Sequence, residues 1–291
     1  MNVCGIEAGG TKFVLGIRDD QGNILNRQRI DTRDPQSTLD ACIDYVTRHR
    51  PDALGIASFG PIDLDPHSPT YGFITSTPKP GWAFTPIVST LAKHFHGPIG
   101  FDTDVNAAAL AEATWGAGQG CDPLVYLTIG TGIGAGLIVN GKPVHGLLHP
   151  EFGHIPLQSL PEDAFKGVCP FHERCLEGLA SGPALIARWG QDVSTFEMNH
   201  PAWNMESAYL AQACAVLCLT VSPQKIVLGG GVMHQQHLYP MIRQHLRTIL
   251  NGYLHHPAIL NDSDLITSPQ LGDDAGLRGA FALADLAYHK P

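Results

Sequence analysis

Charge is sparse in this chain, and basic charge is sparser still: 15% of its 291 residues are charged, 18 of them Lys or Arg against 27 Asp or Glu. A formal net charge of -9 without any basic run gives a phosphate backbone nothing to hold, so nucleic acid is not an expected partner. Long apolar runs are missing too. The longest, around residues 211–221, holds Gln212 and reads as a buried helix, so no membrane partner is expected. The opening residues Met1-Asn2-Val3-Cys4-Gly5-Ile6 carry no basic stretch and enter a strand-like run at once. No signal peptide is therefore expected, and the expected location is cytoplasmic. The seven cysteines form no disulfide-like framework, which agrees with a reducing compartment. Two nucleotide signatures are absent as well. Without a GxxxxGK[ST] run a Walker-type site is excluded, and the Gly130–Gly134 turn leads into a strand, which argues against a dinucleotide site.

What is present is a globular composition, 44% hydrophobic, in a chain long enough for two domains. An internal repeat organises it. Val3–Glu7 reads as a strand, Ala8-Gly9-Gly10-Thr11 as a turn and Lys12–Arg18 as a second strand. Leu124–Ile129, Gly130-Thr131-Gly132 and Ile133–Val139 repeat that order, closed by the turn signal Asn140-Gly141. Two unrelated hairpins would give the same pattern; a duplicated α/β unit explains it with one cause. Further strands are expected at Ala53–Ser58, Ile99–Asp102 and Lys225–Leu228. Helices are expected at Pro35–His49, Val105–Trp115, Pro183–Arg188, Ser207–Val221, Tyr239–Leu250 and Ala275–Tyr288. Strands alternating with helices place the chain in the α/β class, with a domain boundary near residue 118.

Four constellations carry chemistry. In Glu7-Ala8-Gly9-Gly10-Thr11-Lys12 the glycines let backbone approach a polyphosphate, the amides and the Thr11 hydroxyl can donate to it, and Lys12 can offset its charge. Alone such a turn is only a turn; two in duplicated positions could clamp a nucleotide. Gly229-Gly230-Gly231 follows a strand, where ligands sit in open α/β sheets and bare backbone would let a purine lie close. Asp104, in Phe101-Asp102-Thr103-Asp104-Val105-Asn106, lies at a strand-to-helix turn. It is either an N-cap or the carboxylate that takes a hydroxyl proton during phosphoryl transfer. Finally, Cys169, His172 and Cys175, with His154 upstream, offer a Cys2His2 set suited to structural zinc, unless they are free thiols beside incidental histidines in a chain that has fifteen.

Taken together, EAGGTK (7–12), ASFGPID (57–63), TPKPGW (77–82), DTDVNAAA (102–109), GTGIGAG (130–136), EFGH (151–154), CPFHERCLEGLASGP (169–183) and VLGGGVM (227–233) resemble the ROK family of bacterial sugar kinases and repressors, in its fructokinase-like branch. The resemblance covers essentially the whole chain. It implies an actin-like ATPase (RNase H-like) duplicated two-lobe fold with an interlobe cleft. One lobe would hold 1–118 plus 275–291 and the other 119–274 with the zinc loop. It further implies that Gly9, Gly10, Thr11, Lys12, Thr131 and Gly132 face the ATP phosphates. Pro183, Gly229, Gly230, Gly231, Val232 and Met233 would frame the adenosine. Asp104 matches the catalytic aspartate, and Thr103, Glu151, His154 and Glu177 match sugar contacts, with Gly60, Pro61, Gly81 and Trp82 lining the same place. His154, Cys169, His172 and Cys175 match the zinc ligands, and Mg2+ accompanies ATP.

Three departures narrow the branch: Glu7 and Thr103 stand where many relatives have Asp and Asn, and His172 takes the place of a third zinc-loop cysteine. The implied activity is ATP-dependent conversion of D-fructose to D-fructose 6-phosphate, with glucose or mannose as the alternative acceptor, by a homodimer. A sugar-sensing regulator of the family would carry a winged helix-turn-helix ahead of the first phosphate turn, which here starts at residue 7, and an enzyme is expected instead.

Overall fold

The structure is a computed structural model and describes residues 1–261 and 265–290. The chain separates into two compact units. The first comprises Met1–Thr114, Pro143–His149 and the C-terminal residues from Asp273; the second comprises Trp115–Lys142 and Pro150–Gly272.

The first unit is built on a five-stranded sheet of β1 (Val3–Ala8), β2 (Lys12–Arg18), β3 (Ile24–Asp31), β4 (Ala53–Ser58) and β5 (Ile99–Thr103), in the order β3-β2-β1-β4-β5. β1, β4 and β5 run parallel, and β2 pairs antiparallel with both β1 and β3. Every residue of β4 is buried, as expected of a central parallel strand covered on both faces. Between the strands lie α1 (Pro35–His49), α2 (Ile87–Ala92) and α3 (Asp104–Trp115). α1 starts where Asp34 accepts the Ser37 amide at 2.9 Å with Pro35 in the first turn, and stops at Arg50 in the left-handed region.

The last helix, α9 (Ala275–Tyr288), lies on this sheet for a reason written in the strands. Gly16, Gly5, Gly55 and Gly100 stand in register across β2, β1, β4 and β5. A Cβ at Gly55 would sit 1.8 Å from the Ala280 carbonyl oxygen, and one at Gly100 2.2 Å from that of Leu283. The glycine row is thus a shallow channel in which helix backbone touches sheet backbone.

The second unit repeats the sheet with β6 (Leu124–Ile129), β7 (Ile133–Val139), β8 (Lys142–Pro143), β9 (Lys225–Gly229) and β10 (Ile266–Thr267), ordered β10-β9-β6-β7-β8. Strand for strand this is the first sheet again, with β6 antiparallel to β7 and parallel to β9. The repeat read in the sequence is therefore a duplicated α/β unit. Its helices are α4 (Leu176–Ala180), α5 (Gly182–Trp189), α6 (Pro201–Thr220), α7 (Leu238–Leu250) and α8 (Pro257–Leu260). Among the described residues no helix is long and apolar enough to cross a membrane.

Glu206 of α6 is completely buried, and neither carboxylate oxygen has a hydrogen-bond partner among the described residues. Burial holds its pKa well above the ordinary value, only partly offset by the Arg188 guanidinium. The carboxyl thus keeps its proton in the folded state at pH values where the unfolded chain has lost it. Its share of stability is intact below the unfolded pKa and falls, by about 1.4 kcal/mol per pH unit, as pH climbs towards the folded one. Glu206→Gln is expected to raise Tm at pH 8 and to flatten its decline with pH. A Tm lowered at pH 8 would refute the neutral buried carboxyl.

Candidate active site

In the first unit the parallel strands end together: Ala8, Ser58 and Thr103 are register neighbours. Beyond these ends lie the Gly9–Lys12 turn, Gly60-Pro61 and Asp104, so three of the predicted motifs share one carboxyl edge. The Gly9 amide donates to the Lys12 carbonyl at 3.0 Å and closes the turn, leaving Thr11 and Lys12 exposed.

Asp104 is the first residue of α3 and partly exposed. The cap belongs to its neighbour: Thr103 Oγ1 accepts the Asn106 amide at 3.1 Å, and Thr103 is itself only 4% exposed. The alternative in which Asp104 is merely an N-cap thus gives way to Thr103, and Asp104 Oδ1 accepts the adjacent Val105 amide at 2.9 Å. Behind it, Asp102 is buried and anchors the turn. Its Oδ1 accepts the Thr103 amide at 2.7 Å and Asn106 Nδ2 at 2.8 Å. Glu7, at the end of β1, is pushed up to about 7 by burial and then by the Asp104 charge, against the pull of Lys12 and Arg27.

Trp82 takes a different place from the one expected. It is fully buried, its indole N–H donates to the Arg33 carbonyl at 2.8 Å, and its ring meets Phe13 and Phe59. It therefore supports its loop from beneath and presents no surface to a ligand. Gly81, at φ +79°, is exposed beside it. Sequence reasoning also passed over two histidines, His145 and His149, that reach this edge. His145 Nε2 lies 2.9 Å from Asp102 Oδ2, and His149 Nε2 accepts the Ile62 amide at 3.1 Å. Their spacing in a loop carries no recognisable pattern; only the fold reveals their partners.

In the second unit the Gly130 amide donates to the Gly132 carbonyl at 2.9 Å, leaving Thr131 exposed, and the Gly182 amide ties α5 to this turn through the Gly130 carbonyl at 2.8 Å. Pro183 is exposed in the first turn of α5. Gly229 is buried and Gly231 exposed; Gly230, at φ +89°, leaves no room for a Cβ, which would lie 2.4 Å from the Ile129 carbonyl oxygen. Val232 and Met233 point their side chains into the core, so only their backbone can frame a ligand.

Glu177 Oε2 accepts the Ile133 amide at 2.9 Å, next to the same turn. Gly153 packs onto β7 so closely that a Cβ would stand 1.8 Å from the Ile133 carbonyl oxygen, which fixes Glu151 and His154 on either side of it. Glu151 is pushed up to about 7 by the protein around its carboxyl and by Glu177.

Ligand atoms of His154, Cys169, His172 and Cys175 all lie within 4.8 Å of one another. His154 Nδ1 is 3.5 Å from Cys175 Sγ and 3.8 Å from Cys169 Sγ, and His172 Nδ1 is 3.7 Å from Cys169 Sγ. Tetrahedral zinc with ordinary bond lengths sets such N···S separations at about 3.5 Å. Gly167 and Gly178, each with no room for a Cβ beside the Glu173 carbonyl, wind the loop tightly enough to gather the four.

Paired sheets of this order, each with a Gly/Thr turn between its first two strands and a carboxylate beyond the parallel strand ends of one, define the actin-like ATPase class of α/β proteins. Within that class the chain belongs to the ROK family, whose model matches residues 3–286. It is 44% identical to a fructokinase of Pediococcus pentosaceus over 97% of each chain. It is 42% identical to a fructokinase of Zymomonas mobilis over 98% of this chain and 97% of that one. A crystal structure of a ROK family glucokinase from Streptomyces griseus, in complex with glucose and AMPPNP, superposes over 100% of both chains with a TM-score of 0.76 at 26% identity.

Proposed function

We propose that the chain phosphorylates D-fructose on its 6-hydroxyl at the expense of ATP. The observation that carries this reading is Asp104, delivered by a buried strand to the first turn of α3 and relieved of capping by Thr103. Its carboxylate takes the hydroxyl proton as the sugar oxygen bonds to the γ-phosphorus and the bond to the β-phosphate oxygen breaks, releasing ADP. The Gly9–Lys12 and Gly130–Gly132 turns donate amides to phosphate oxygens, and the Lys12 ammonium offsets charge on the transferring group. Gly229–Met233 and Pro183 border the adenosine. Mg2+ would accompany ATP and offset the charge of its phosphates.

Glu151, His154 and Glu177 hold sugar hydroxyls. Four ligands in a closed set make His154, Cys169, His172 and Cys175 a structural zinc site without room for metal-bound water. With Nδ1 turned to the cysteines, His154 keeps Nε2 for the sugar, so one ring joins the metal loop to the substrate. Support for fructose over other hexoses comes from the identities of 42–44% to fructokinases against 26% to the glucokinase. ADP release measured with and without hexose tests the reading: fructose should start turnover, and hexose-independent release would point to an ATPase instead.

A further inference from the structure

We infer that His145, acting through Asp102, is a positioning residue for the turn that presents Asp104, an inference resting on Asp104 being the proton acceptor. Asp102 sits on β5 two residues before Asp104 and is 2% exposed. A carboxylate buried so deeply must be satisfied on both oxygens. Oδ1 is satisfied locally by the Thr103 amide and Asn106 Nδ2 at 2.7 and 2.8 Å, both within the turn. Oδ2 receives its contact from 43 residues away, the Nε2 of His145 at 2.9 Å.

The His145 side chain is 43% exposed while the Asp102 side chain it meets is 3% exposed, so the imidazole covers the buried oxygen from the solvent side. Its segment, Pro143–His149, groups with the first unit. It is fixed a second time at buried His149, which accepts the Ile62 amide next to Gly60-Pro61. The segment therefore clips two loops of the same carboxyl edge. One histidine holds the residue beside Pro61, and the other holds the carboxylate that orients Thr103 and Asn106, the two residues whose hydrogen bond caps α3. Without the His145 N–H, Asp102 would be left with a bare buried oxygen, and the carboxylate would turn to find water or another donor. Thr103 and Asn106 follow that rotation, and with them the direction of Asp104. Small displacements of a reacting group are costly in rate and cheap in affinity.

The contact requires an N–H at the position of Nε2, which the Gln amide nitrogen matches and the shorter Asn does not. His145→Ala is expected to lower kcat for fructose by about 10- to 100-fold while leaving KM for fructose and for ATP near their wild-type values. His145→Gln should restore most of the loss. Combined with Asp104→Asn, His145→Ala should cost nothing further, because the histidine acts only through that aspartate. If the Ala variant does not fold, His145→Asn takes its place.

Unchanged kcat in His145→Ala, equal impairment in Ala and Gln, or a loss confined to KM each overturn the inference, the last by making His145 a substrate contact. Asp104→Asn measured alongside separates the two levels. Full turnover in that variant removes the proton acceptor and this inference together, whereas a large loss there beside an inert His145→Ala removes this inference alone.

Discussion

Asp104→Asn is expected to bind ATP and fructose almost normally and to lose kcat by roughly 10²–10⁴-fold, the range a general base supplies. Asn keeps the size of the side chain and the helix cap beside it. The cap of α3 is made by Thr103, and the contact from the Val105 amide can be accepted by the Asn carbonyl oxygen. Only proton acceptance is lost, so the deficit should fall on kcat with KM little changed. Glu7 is a nearby carboxyl group that could stand in. Burial holds it up to about 7, with the Asp104 charge as the second cause. Removing that charge lowers the Glu7 pKa below about 7, so any residual activity of the variant should rise as pH climbs from acid towards neutrality and Glu7 ionises. Wild-type turnover in a correctly folded variant would take Asp104 out of the mechanism.

Cys175→Ser should separate the metal from the fold around it. Cys175 is buried, it caps α4 by accepting the Gly178 amide at 3.5 Å, and it lies against His154 Nδ1. Serine can still cap, and better than a thiol, yet offers no thiolate to zinc. Zinc affinity should fall by more than the roughly 10–100-fold that loss of an outer hydrogen-bond partner costs. Tm should fall with it, since metal binding is coupled to folding of the loop. KM for fructose should rise, because His154 is both a ligand and a sugar contact in this reading. Elemental analysis of wild type purified without added metal should give one zinc per chain. Zinc-free wild type with chelator-insensitive activity would refute the site.

Much of the fold was legible because period and punctuation agree. β2, β6, β7, α1 and α9 occupy the residues their patterns predict, and the Gly/Thr turns mark the duplication. β3 was missed because it is an edge strand in which Asn26, Arg27 and Arg29 are exposed and Gln28 half-buried, so polar residues erase the apolar alternation that identifies a strand. α6 begins at Pro201 rather than Ser207, a start announced by a proline in the first turn that the apolar run further on overshadowed. The row formed by Gly16, Gly5, Gly55 and Gly100 could not be read, since register between strands is a tertiary fact.

The candidate site divides the same way. Turns, the zinc-like loop and Asp104 are local patterns and stood out. Asp102 with His145, and Ile62 with His149, are pairs distant in sequence, and the burial of Trp82 depends on Phe13 and Phe59 from two other segments.

Thr103 makes the acceptor sugar the most exposed part of the account to test. It stands where many relatives of the resembled family have Asn, and its oxygen is already engaged with the Asn106 amide. A sugar hydroxyl suited to an amide's donor and acceptor would be left poorly paired there, a cost of about 1–3 kcal/mol, or one to two orders of magnitude in preference. Steady-state kcat/KM for fructose, glucose and mannose, measured with ATP and Mg2+ under one set of conditions, decides it. The account predicts fructose ahead of glucose by about 10- to 100-fold; a preference for glucose would contradict the fructose assignment, and no hexose-dependent ADP release at all would contradict the kinase itself.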